Sequence, residues 1–140
     1  MKEILLSLLQ EINEEFDPIL SNVVDLSTYA DKIASRAEII SIIENSVIKA
    51  LIAVYCNDPE KRNAYITLFY VKEEYRKMGL GKRLLETLLQ YLKGLQFQIL
   101  KLEVFKTNKK AINFYLTNGF EEFEENETSK FLFIKVNNET

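Results

Sequence analysis

Residues 71–92 read VKEEYRKMGLGKRLLETLLQYL, with two glycines, Gly79 and Gly81, one residue apart near the start. Behind them Leu80, Leu84, Leu85, Leu88, Leu89 and Leu92 recur at the spacing of one buried helical face. Ahead of them, residues 63–71 (NAYITLFYV) have the β-branched and aromatic content of a strand. The pattern is strand, glycine turn, helix. Four basic residues, Arg76, Lys77, Lys82 and Arg83, surround the glycines. Glycine lacks a Cβ, so backbone N–H groups beside it can approach a ligand closely. A helix N-terminus adds unsatisfied donors and a partial positive charge. Such a turn seats a phosphate or pyrophosphate. Cations at that end oppose the helix dipole, which an anion held between them would explain.

Spacing separates three glycine-rich motifs. A P-loop, GxxxxGK[ST], would put its first glycine at Arg76 and its hydroxyl at Arg83, so it fails twice. A dinucleotide fingerprint, GxGxxG, is met by Gly79-Leu80-Gly81, and Glu103 lies at a suitable distance for the ribose acid. Leu84 replaces its third glycine, however, and the chain lacks the run of βα units that fold needs. The pattern [RQ]xxGx[GA] is satisfied in full by Arg76, Gly79 and Gly81.

Outward from this stretch, residues 1–16 carry Ile4, Leu5, Leu8, Leu9, Ile12 and Phe16 at helical period, ending near Asp17-Pro18. Residues 22–26 offer only a short, weak strand. Ser27 or Thr28 is placed to cap a second helix running to about Arg36. Residues 38–44 and 47–56 read as a hairpin about Asn45-Ser46, and Asn57-Asp58-Pro59 ends it. Strict alternation in 63–71 would put Tyr65, Thr67, Phe69 and Val71 on one face and Ile66, Leu68 and Tyr70 on the other. Gly94 marks the end of the central helix. A strand at 98–105, a short helix at 108–118 stopped by Gly119, and a final hairpin from 120–123 and 130–136 complete the order. This is a mixed α/β (α+β) arrangement in a single domain, 1–140.

The totals narrow the chemistry. The chain of 140 residues is 47% hydrophobic and 28% charged, ordinary for a soluble globular protein, and the cytoplasm is the expected location. No apolar run approaches the roughly 20 residues of a membrane span, so no membrane partner is expected. The net charge of −3 argues against a nucleic-acid partner. There is no histidine and one cysteine, Cys56. No metal site is therefore expected, and histidine-dependent nucleophilic schemes are excluded.

A second motif follows the first. LEVFKTNKKAINFYLTNGF carries Asn108, Ala111, Phe114, Tyr115, Gly119 and Phe120 in the pattern N-x-x-A-x-x-[FL]-Y-x-x-x-G-F. Together with LFYVKEEYRKMGLGKRLL it resembles the paired signature of the GCN5-related N-acetyltransferase (GNAT) superfamily over residues 63–123. The resemblance implies a central, mostly antiparallel twisted sheet, splayed at an acetyl-CoA site and flanked by helices. Members usually begin with a strand, and here the first strand is expected to be displaced or missing.

By the same resemblance, acetyl-CoA is the co-substrate. Phe69, Tyr70 and Val71 lie along its pantetheine and acetyl group. The backbone of Arg76, Lys77, Met78, Gly79, Leu80, Gly81 and Lys82 cradles the pyrophosphate, and Asn108 contacts the cofactor besides capping its own helix. Lys77, Lys82 and Arg83 complement the phosphate charge. Tyr115 reaches the sulfur. A thiol near about 8.5 and a tyrosine near about 10 make full proton transfer uphill by roughly 2 kcal/mol. Tyr115 therefore acts best as a hydrogen-bond donor to the developing thiolate. Glu103 stands where the ribosomal-protein branch of the family has its base. A carboxylate near about 4.3 needs burial or a relaying water to deprotonate an ammonium near about 10.4.

The implied activity is direct acetyl transfer to a primary amine on an amino sugar, a peptide N-terminus or a small amine. The stretch 26–58 loosely resembles acetyltransferases of bacterial surface-polysaccharide genes, which points to an amino sugar. Asn57, Asp58, Tyr65, Thr67 and Tyr70 are further candidates on the acceptor side. The alternatives are a non-catalytic acyl-CoA-binding or regulatory module on the same fold, and a dinucleotide binder. An exposed final hairpin would allow a homodimer.

Overall fold

The computed structural model describes residues 1–136, so positions 137–140 of the expected domain lie outside the described residues. The chain divides into two compact units, Met1–Ala37 and the remainder from Glu38 onward.

The first unit holds α1 (Lys2–Ile12) and α2 (Leu26–Arg36). Leu5, Leu8, Leu9 and Ile12 form the buried stripe of α1, while Ile4 is exposed. The α-helix stops before Phe16, because Asn13–Glu15 tightens into a 3-10 turn. The Asn13 side chain holds that turn, accepting from the Ser21 N–H at 2.7 Å and donating to the Ser21 Oγ at 3.1 Å. The weak strand expected at 22–26 does not form. Leu20–Asn22 is a 3-10 turn, and α2 is capped by Asp25 rather than by Ser27 or Thr28. The Asp25 carboxylate accepts from the Thr28 N–H at 2.9 Å and the Thr28 hydroxyl at 2.7 Å, which lowers its pKa. Among the described residues no strand precedes α1.

The second unit is a six-stranded sheet in the order β1-β2-β3-β4-β6-β5. Its strands are β1 (Ala37–Glu44), β2 (Val47–Tyr55), β3 (Asn63–Val71), β4 (Ile99–Phe105), β5 (Glu121–Glu125) and β6 (Ser129–Lys135). Asn45 and Ser46 both adopt left-handed backbone, with φ 54° and 63°, which suits the tight turn between β1 and β2. β2 pairs antiparallel with β3, β4 with β6, and β5 with β6, whereas β3 and β4 run parallel. That parallel pair is joined through α3 (Leu80–Gly94), and β4 leads into α4 (Lys109–Thr117).

Leu84, Leu85, Leu88 and Leu92 of α3 are buried in a core with Ala50, Ile52 and Val54 of β2, Ile66 of β3, and Leu100 and Leu102 of β4. Each such leucine contributes about 2 kcal/mol. Tyr115 of α4 and Phe120 extend the same core. No helix among the described residues is long and apolar enough to cross a membrane.

Candidate active site

The parallel pairing of β3 and β4 is short. It joins Asn63, Ala64, Tyr65 and Ile66 to Ile99, Leu100, Lys101 and Leu102 in that order, and then it ends. Beyond it residues 67–71 and 103–105 part, leaving a fork in the middle of the sheet. A bulge on β3 sits at the fork. Ala53 pairs with Leu68 but Val54 pairs with Ile66, so Thr67 is the extra residue. The alternation expected for β3 therefore breaks there. Ile66, Phe69 and Val71 share the face that carries the helical core, whereas Leu68 and Tyr70 pair with Ala53 and Leu51 on the other.

The glycine turn lies just past Val71. Glu73–Tyr75 makes one 3-10 turn, and two residues then take left-handed backbone: Lys77 at φ 69° and Gly79 at φ 78°. Glycine suits this conformation at 79; lysine at 77 adopts it at a steric cost. No side chain caps α3, and the first bond across the cap is from the Arg83 N–H to the Gly79 carbonyl. The N–H groups of Leu80, Gly81 and Lys82 precede that bond, so they are free of the helix ladder. Lys77, Met78, Gly79 and Lys82 are exposed. Arg76 does something the motif alone does not reveal. Its Nε donates to the Val71 carbonyl at 2.8 Å, and its guanidinium lies 5.6 Å from the centre of the Tyr70 ring. It ties the turn to the end of β3.

A methyl group added at Gly81 would lie 3.5 Å from Phe114 Cζ and 3.7 Å from Val71 Cγ2. Phe114 meets Phe69 edge-on at 5.7 Å between ring centres, and Tyr115 lies 6.2 Å from Phe69. Tyr115 also packs at 5.5 Å from Phe114 and 5.3 Å from Phe120. These contacts run without a break from the start of α3 to the Tyr115 ring. Burial pushes the Tyr115 hydroxyl far above its ordinary pKa. Asn108 caps α4, its side chain accepting from the Ala111 N–H at 3.2 Å.

Glu103 stands apart from this row. Leu102 and Val104 point into the helical core, and Glu103 is exposed on the other face of β4, opposite Phe131 of β6. Burial, then the Glu103 carboxylate and then Tyr55, push up the pKa of Tyr65 on β3. Glu103 and Tyr115 thus occupy opposite faces of the sheet at the level of the fork. Asp58 is committed to its loop, because its carboxylate accepts from the N–H groups of Glu60, Arg62 and Asn63 at 3.0, 3.2 and 3.1 Å. The Cys56 thiol is pushed up to about 11 by burial and by Glu38, which makes it a poor nucleophile. A shallow groove of about 160 Å³ lined by Ile40, Ser41, Ile42, Arg83, Leu84 and Thr87 shares no residue with the aromatic row.

Alternation in the sequence was enough to put Glu103 opposite its neighbours. The Thr67 bulge and the contact of Tyr115 with Phe69 had no local signal, since each depends on a strand distant in sequence. The Arg76 tie spans only five residues and depends on the path of the turn.

The family model for the acetyltransferase (GNAT) family matches residues 5–120. The spermine/spermidine N(1)-acetyltransferase of Bacillus subtilis (strain 168) is 32% identical over 68 residues, which cover 48% of this chain and 45% of that protein. The chain thus matches less than half the length of that relative. Among solved structures, an acetyltransferase of the GNAT family from Staphylococcus aureus Mu50 is similar with a TM-score of 0.78 and 19% identity, covering 97% of this chain and 93% of the other. The PaiA N-acetyltransferase of Thermoplasma acidophilum, in complex with coenzyme A, gives 0.68 and 20%, covering 79% and 69%. At these identities the structures speak for the fold.

Proposed function

The chain belongs to the acetyltransferase (GNAT) family, and from that premise we propose that it transfers acetyl from acetyl-CoA directly to a primary amine. The observation that carries the proposal is the unbroken row of contacts from Gly81 through Phe114 to Phe69 and Tyr115, beside the fork. The row joins an anion seat to a buried hydroxyl. The family match runs through both compact units, which supports reading them as one domain.

In this reading the uncapped N–H groups at the start of α3 hold the pyrophosphate, with Lys77 and Lys82 adding charge. The parted edge of β3 at 69–71 accepts the amide-bearing pantetheine much as a strand accepts a peptide. Arg76 keeps the turn fastened to Val71, and Asn108 fixes the first turn of α4 near the cofactor. The amine nitrogen attacks the thioester carbonyl, the new N–C bond forms, and the C–S bond breaks. Tyr115 donates its hydrogen bond to the departing thiolate, a role that suits a hydroxyl held protonated by burial. The exposed Glu103 receives the surplus proton of the amine through water, from the opposite side of the fork. Nothing in this sequence of steps calls for a metal. An acetyl-CoA pool suits a cytoplasmic location.

The acceptor is drawn from amino sugars, peptide N-termini and small amines. The B. subtilis relative bears the name of a polyamine acetyltransferase, which puts spermidine and spermine first among the small amines. The test is thiol release from acetyl-CoA over a panel of these amines, with Tyr115→Phe beside the wild type. Turnover with at least one amine is expected, reduced about 100-fold in the variant while acetyl-CoA binding is kept. Tight acetyl-CoA binding without thiol release from any amine would point to the non-catalytic module instead. Unchanged turnover in Tyr115→Phe would remove that residue from the mechanism.

A further inference from the structure

Phe69 occupies an unusual place in the aromatic row. The Thr67 bulge turns it onto the helical-core face at the point where β3 and β4 have just parted. Its two aromatic neighbours, Phe114 and Tyr115, are each fixed by other packing, Tyr115 in part by Phe120. Tyr115 and Phe120 are 8% and 3% exposed and belong to the core. Phe114 lies against the position of Gly81 in the first turn of α3. Phe69 is only partly buried, and it packs against that cluster from the part of β3 that lies past the last pairing with β4. It meets Phe114 edge-on, and Tyr115 at a tilt of 58°. Rings locked edge to face present a stiff wall, unlike a methionine that could move aside.

We propose that Phe69 is the gate on acyl length, closing the far end of the acyl subsite so that a two-carbon group is accepted and longer saturated acyl groups are refused. The inference rests on the donor reading above. An acyl carbon next to the thioester sulfur must lie close to whatever hydrogen-bonds that sulfur. If that group is Tyr115, the acyl chain extends into the space bounded by Phe69. Replacing the ring with a smaller side chain leaves an apolar space that added methylenes can fill. Each methylene accommodated or refused in such a pocket changes affinity by about tenfold or more.

The test is calorimetric titration of the full chain with coenzyme A, acetyl-CoA, butyryl-CoA and hexanoyl-CoA, for the wild type, Phe69→Leu and Phe69→Ala. The wild type is expected to bind butyryl-CoA at least about tenfold more weakly than acetyl-CoA. Phe69→Ala is expected to close that gap, and Phe69→Leu to narrow it. Phe69→Leu keeps a large apolar side chain on β3, so it reports even where the alanine variant fails to fold. Equal wild-type affinity for acetyl-CoA and butyryl-CoA would overturn the gate, as would a gap unchanged in the folded variants. Absence of binding to coenzyme A itself would overturn the donor reading, and the gate with it. Binding of coenzyme A without a response to acyl length would overturn the gate alone.

Discussion

Tyr115 and Asp58 show how the same sheet disposes of polar groups in opposite ways. The Tyr115 hydroxyl sits on a ring enclosed by Phe69, Phe114 and Phe120, and burial keeps its proton on. A group so placed can donate a hydrogen bond far more readily than it can accept a proton. Asp58 instead accepts hydrogen bonds from three backbone N–H groups, and those bonds, led by the one from Asn63, hold its carboxyl below the usual 3.8. A folded-state pKa that is depressed stabilises the fold above the unfolded value, and that contribution disappears as pH falls through the folded value. Asp58→Asn should therefore lower the urea midpoint near about pH 6, with the difference from wild type shrinking toward about pH 2.5. A difference constant across that range would mean that the loop uses the shape of the side chain and not its charge.

Helix ends give the clearest comparison between elements. α4 closes with Gly119 at φ 98°, its N–H bonded to the Leu116 carbonyl and that of Phe120 to Tyr115. α3 closes by the same pair of bonds, Gln96 to Lys93 and Phe97 to Leu92, but with a glutamine at φ 67°. Sequence reading put the stop at Gly94, which the structure includes as the last helical residue. Phe97 decides the matter: it and Leu92 are both buried, and anchoring that pair moves the left-handed position to 96. Gln96→Gly should raise stability by about 1 kcal/mol, because glycine takes this backbone without the Cβ clash. Urea unfolding measures it, and a lower midpoint in the variant would contradict the assignment. The Thr67 bulge likewise escaped a period-two reading of β3. A bulge belongs to a pair of strands, and its second strand, β2, is read separately along the chain.

At the scale of the molecule, the order of helices and strands followed from periodicity, since each amphipathic segment carries its own pattern. What the order left undetermined was the fork. Parallel pairing of β3 with β4, and its end at Ile66 and Leu102, joins residues more than thirty positions apart and has no local signature. In the proposed mechanism Glu103 and Tyr115, on opposite faces, act on one reaction across the fork that both flank. The glycine turn, read with the Asn108–Tyr115 motif, pointed to the cofactor class by resemblance, while the acceptor has no comparable motif. The central claim is therefore that residues 77–82 seat the pyrophosphate of coenzyme A, and the most direct measurement is an amide NMR titration of 15N-labelled protein with coenzyme A, using NAD as the control. Such a seat predicts the largest shifts at the amides of 77–82, smaller ones at 69–71, and no response to NAD. Amides at 77–82 that stay unmoved by coenzyme A, or that move with NAD instead, would contradict it.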